Sequence, residues 1–114
     1  SIAGLSGNMP EMTMISYNTS KGAVVNFTRA LAGEWGKHNI NVNAVLPGFF
    51  PTSMTAHMRA DEGFDPALLG KIPMRRMGRP DEIAGIIWFL CQPAAAPITG
   101  ANLSADFGLS AGIT

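Results

Sequence analysis

The stretch SYNTSKGAVVNFTRALAGEWGKHNINVNAVLPG, residues 16–48, carries two periodicities in succession. From about Ser16 to Lys37 the apolar residues Val24, Phe27, Leu31 and Trp35 recur at spacings of three and four, which marks one face of a long helix. His38 and Asn39 end it. Ile40, Val42, Ala44 and Leu46 then alternate with Asn41, Asn43 and Val45 until Pro47 and Gly48 stop the pattern, which predicts a mostly buried strand.

Outward from this core, residues 1–14 hold glycine, proline and methionine without period and read as a loop. Residues 49–78 are poor in strand formers and rich in methionine, and predict a lid with short helical turns near 52–59 and 66–70. In RPDEIAGIIWFLCQP, Pro80 takes a first-turn position. Asp81 and Glu82 suit the positive end of a helix dipole, and Ile83, Ile86, Ile87 and Leu90 follow at helical spacing. This predicts a second helix ending before Pro93. Ala101, Leu103 and Ala105 alternate as a short final strand. Helix, strand, lid, helix, strand, with each strand reached through a helical crossover, is the pattern of a parallel α/β sheet. Two strands are too few for a closed parallel layer, so more strands are expected outside the chain.

Composition narrows the function. The 114 residues are 46% hydrophobic, enough for a core, and eight basic residues balance eight acidic ones at a charged fraction of 14%. That balance argues against a nucleic-acid groove or a polybasic membrane patch and points to a small molecule or another copy of the chain as partner. Residues 83–105 carry no charge, yet Gln92, Pro93, Pro97 and Gly100 interrupt them, so no membrane span is expected. Cys91, the single cysteine, lies in the apolar run IAGIIWFLCQ and is expected to be a buried small hydrophobe. His38 and His57 have no companions at ligand spacing, so both are expected at the surface and no metal site is expected. The opening SIAGLSGNMP has neither an initiator methionine nor a signal-peptide pattern, and is read as the start of a fragment.

Tyr17, the only tyrosine, has Lys21 one helical turn on. One reading is a solvated pair on a helix surface. The other is chemical: a free phenol titrates near pH 10, and a nearby ammonium favours the phenolate, making the group usable as an acid or base. The pair opens the long helix after a Ser/Gly loop, and the strand ending in Pro-Gly returns the chain to the same sheet edge, where α/β proteins bind ligands.

Five ordered blocks, S-I-A-G-L, Y-N-T-S-K-G-A-V, I-N-V-N-A-V-L-P-G-F-F-P-T, G-R-P-D-E-I-A and I-T-G-A-N-L, resemble the C-terminal half of a classical short-chain dehydrogenase/reductase. The resemblance implies that residues 1–114 are the C-terminal half of a single doubly wound Rossmann-type domain with a parallel sheet. It implies a cytoplasmic homodimer or homotetramer acting on a small carbonyl or alcohol with NAD or NADP, the choice between the two being open. It further implies that Tyr17 is the general acid/base and that Lys21 assists it and holds the nicotinamide ribose. Ser1 would bond the substrate oxygen, Pro47 and Gly48 would form the turn under the nicotinamide, and Thr52 would hold its carboxamide. Met54, Met58, Met74 and Met77 would line a lid or serve structure alone. Two departures stand out: no G-x-G phosphate turn occurs in the chain, and Phe107 stands where the family often has the first glycine of Asp-Gly-Gly. The implied substrates are a polyol or keto-sugar acid, or a 3-oxoacyl thioester. A non-catalytic α/β assembly module remains the alternative. A compact helical domain is argued against by the buried strand.

Overall fold

The computed structural model describes residues 14–50 and 66–111. The first helix, α1, spans Ile15–Trp35. It tightens into a 3-10 turn, Gly36–His38, which ends where Asn39 takes a left-handed backbone (φ 60°) and donates its N–H to the Gly36 carbonyl at 2.9 Å. Asparagine tolerates that conformation better than most residues. The strand β1, Ala44–Pro47, follows. A short helix α2, Pro66–Lys71, matches the turn predicted near 66–70, while the one predicted near 52–59 lies outside the described residues. Helix α3 spans Pro80–Leu90 with Pro80 in its first turn, and Glu82 accepts the Arg79 N–H at 2.9 Å, satisfying a donor at the helix start. Strand β2, Asn102–Ala105, pairs parallel with β1 in the register Ala44↔Asn102 to Pro47↔Ala105.

Helices α1 and α3 flank this pair. The Asn102 side chain points at α1, with its Nδ2 3.5 Å from the Val25 carbonyl. On the other face, Val45 borders a groove shared with Ile87 and Leu90 of α3. The small core of described residues comprises Val25, Ala32, Leu46, Phe50, Ile72 and Ala95.

Three expectations change. The predicted apolar stripe of α1 is not its buried face: Val25, Thr28 and Ala32 are buried, while Phe27 is 62% exposed and Val24 and Trp35 are also open. The cause is close packing, because a Cβ on Gly100 would sit 3.4 Å from that of Ala32, and only small side chains fit so near a sheet. The strand also begins at Ala44 rather than Ile40, and of its four residues only Leu46 is buried. Asn41 Nδ2 donates to the carbonyls of Ala96 (2.8 Å) and Ile98 (2.9 Å), Asn43 Nδ2 donates to Ile98 (2.9 Å), and Asn43 Oδ1 accepts the Ala101 N–H (3.0 Å). Side-chain amides thus join the backbone bonds from the Gly100 N–H to the Val42 carbonyl (2.7 Å) and from the Ala44 N–H to the Ala101 carbonyl (2.9 Å) in holding the entry to β1. Finally, Cys91 is exposed, since α3 packs on β1 and the turn after it and leaves its remaining faces uncovered. His38 is exposed as expected, and His57 lies outside the described residues.

Candidate active site

Tyr17 and Lys21 occupy the first turns of α1, both half-buried, with the Lys21 Nζ 5.2 Å from the Tyr17 ring centroid. That is cation–π distance, so the ammonium lies over the ring face and is held near the phenol by the helix itself. Ser20 Oγ donates to the Tyr17 carbonyl at 2.8 Å.

The direction of α1 fixes where this pair lies. Ala32 meets Gly100 just before β2, and Val25 meets Asn102 at the start of the strand, so α1 runs antiparallel to the strands. From Val25 back to Tyr17 the helix rises ~12 Å, at ~1.5 Å per residue. From Asn102 to Ala105 the strand advances ~10 Å, at ~3.3 Å per residue. Tyr17 therefore stands level with the carboxyl end of the sheet, the edge at which open α/β folds bind ligands.

At that edge Pro47 ends β1, and the Gly48 N–H donates to the Ala105 carbonyl at 3.1 Å. A Cβ on Gly48 would lie 2.7 Å from the Asp106 Cβ and 2.8 Å from its Cα, so the two strand exits touch and no other residue fits. Buried Asp106 accepts the N–H groups of Gly108 (3.1 Å) and Ser110 (3.0 Å), which shapes the turn after β2. Tyr17, Lys21, Pro47 and Gly48 thus share one edge. Ser1 and Thr52 lie outside the described residues.

Beside this edge is a cluster that the sequence reading did not assemble. Phe107 has a left-handed backbone (φ 58°), which costs a non-glycine residue about 1–2 kcal/mol. Its ring packs tilted against Phe50 at 5.8 Å, a pairing that offsets about 0.5–1.5 kcal/mol of this, and the Arg76 guanidinium lies 4.2 Å above its face. Arg76 is held by two 2.7 Å hydrogen bonds to Glu82. Those bonds, with the Arg79 N–H second, hold the Glu82 carboxyl down to about 2 from its ordinary 4.5. Glu82 in turn raises Arg76 above its usual value. The signal in the sequence was Phe107 itself, an aromatic where glycine would suit the backbone.

Comparison with known proteins gives the family of the chain. The family model described as enoyl-(acyl carrier protein) reductase matches residues 1–110. The chain is 43% identical over 93 residues to 2-dehydro-3-deoxy-D-gluconate 5-dehydrogenase of Escherichia coli (strain K12), covering 82% of this chain and 37% of that one. It is 44% identical over 108 residues to galactitol 2-dehydrogenase (L-tagatose-forming) of Cereibacter sphaeroides, covering 95% and 42%. Among solved structures, the Pseudomonas aeruginosa RhlG/NADP active-site complex superposes with a TM-score of 0.84 at 38% identity, over 96% of this chain and 43% of that one. A 4-hydroxyisoleucine dehydrogenase mutant complexed with NADH and succinate gives 0.84 at 32% identity, over 100% and 46%. The chain belongs to the short-chain dehydrogenase/reductase family and has the α/β architecture of the C-terminal part of its Rossmann-type fold. It spans less than half the length of these relatives. Among the described residues no helix is long and apolar enough to cross a membrane.

Proposed function

We propose that residues 1–114 form the C-terminal part of a single Rossmann-fold, NAD(P)-dependent dehydrogenase that interconverts a secondary alcohol and a ketone. The observation that carries this reading is the Tyr17–Lys21 pair, with Nζ 5.2 Å from the ring centroid, level with the carboxyl edge of a parallel sheet. The nicotinamide, when bound, supplies or accepts the hydride. In the reducing direction the Tyr17 hydroxyl gives its proton to the oxygen of the carbonyl being reduced; in the oxidising direction the phenolate takes the proton from the alcohol. Lys21 offers positive charge to that phenolate, and its ammonium suits the ribose hydroxyls.

The residues present fit the nicotinamide end of such a cofactor. Gly48 leaves the β1 exit without a side chain, and an ammonium and a phenol are the donors at the edge. Thr52 is assigned to the carboxamide and Ser1 to the substrate oxygen on the family pattern alone. The phosphate end has no G-x-G turn in this chain to hold it, so the chain by itself is expected to be inactive. Relatives named for gluconate and galactitol chemistry favour a polyol or keto-sugar acid as substrate. Relatives solved with NADP and with NADH support a nicotinamide cofactor of either kind.

Tyr17→Phe in the complete dehydrogenase tests the assignment. Turnover should be abolished with cofactor affinity nearly unchanged, because only the proton-transfer group is removed. Near-wild-type turnover would overturn it.

A further inference from the structure

We propose that Phe107 is a positioning residue: acting through Phe50 and Arg76, it holds the β1 exit, residues 47–50, in fixed register against the β2 exit. The effect on turnover rests on the dehydrogenase reading above; the clamp itself does not. The backbone at 107 is left-handed (φ 58°), as is that of Gly108 beside it (φ 91°). Glycine would accept such a conformation without strain, whereas a bulky aromatic persists there only if its surroundings over-determine it, and outliers of this kind gather where geometry matters.

The surroundings here come from two other segments. Phe50 reaches the ring from the β1 exit, and Arg76 covers its face from the approach to α3, fixed in turn by Glu82. The backbone follows the same three-way contact. Met74 donates its N–H to the Phe107 carbonyl at 3.2 Å, and Gly78 donates to the Phe49 carbonyl at 2.9 Å. The Phe50 ring fills the space that a Cβ on Gly78 would need. Removing the ring at 107 leaves Phe50 without this neighbour, and the turn bearing Pro47 and Gly48 gains freedom. Tyr17 and Lys21, on α1, are outside the contact. The expected signature is therefore a fall in kcat, with substrate KM and the pH profile of turnover unchanged.

The test compares Phe107→Gly, which relieves the backbone, with Phe107→Leu, which keeps the strain but loses the ring, and Phe107→Tyr, which keeps both. On the complete protein, amide hydrogen exchange at Gly78 and Met74 should quicken by about tenfold or more in the Gly and Leu variants and stay near wild type in the Tyr variant. In the same proteins kcat should fall by about tenfold or more for Gly and Leu and recover for Tyr. Unchanged exchange in Phe107→Gly would overturn the clamp. Faster exchange with kcat within about twofold of wild type would overturn the positioning role. A wild-type protein with no nicotinamide-dependent turnover would sink the dehydrogenase reading instead, and exchange at Gly78 would still decide the clamp.

Discussion

Gly48 and Glu82 show how single residues hold the candidate site in place. A methyl group at 48 would meet the Cα and Cβ of Asp106, neither of which can swing aside, so Gly48→Ala should cost about 1–3 kcal/mol in urea unfolding. Lys21→Ala should weaken both cofactor binding and rate, unlike Tyr17→Phe, because one ammonium is assigned to the ribose and the phenol together; steady-state kinetics with separate cofactor titration distinguishes the two. The Glu82 carboxyl is held at about 2 against 4.5 when free, so its ion pair with Arg76 contributes fully above about pH 4.5 and is lost as pH falls through about 2. Urea midpoints for wild type should therefore drop across that window more than those of Glu82→Gln. Of the site residues, Tyr17 and Lys21 were legible because a helix fixes which side chains share a turn. Glu82 was legible only as a first-turn acid. Its partner Arg76 precedes α3 in an irregular segment, where no period links residue number to position.

At the level of elements, order and type could be read from the sequence, while the buried faces could not. Periodicity says which side chains of α1 lie together. It does not say which stripe the sheet will cover, and the sheet selected Val25, Thr28 and Ala32 because Gly100 draws close. The same limit misplaced Cys91, since an apolar helix half covered by its neighbours looks like a buried one. Asn41 and Asn43 read as the polar positions of an alternating strand, yet their amides tie residues 95–101 to the β1 entry. Asn43→Ala would strand the Ala101 N–H and remove a donor from the Ile98 carbonyl, at an expected cost of about 1–3 kcal/mol, measurable as a lowered urea midpoint with unchanged slope.

At the scale of the whole molecule, the described residues leave much apolar surface uncovered. Phe27 on α1 is 62% exposed and Trp88 on α3 is 69% exposed, and a parallel pair of four-residue strands cannot shelter either. Part of this surface should pack on strands outside the chain and the rest on a partner subunit, so we expect the complete protein to be a dimer or tetramer; a stable wild-type monomer in sedimentation at micromolar concentration would contradict this. The chain alone should show no saturable NADH or NADPH binding by nucleotide fluorescence at micromolar concentration. The parallel register also sets a timetable for synthesis. A hairpin would let β1 find its neighbour at once, but β2 lies about 58 residues further along, as the Asn43–Ala101 contact shows. At roughly 5–20 residues per second, a ribosome needs about 3–12 seconds to deliver it. Through that interval β1 has its Leu46 side chain, later 2% exposed, and one row of peptide groups still waiting for β2. The newborn chain is therefore open at β1 to chaperones, or to a wrong partner, until β2 has been made.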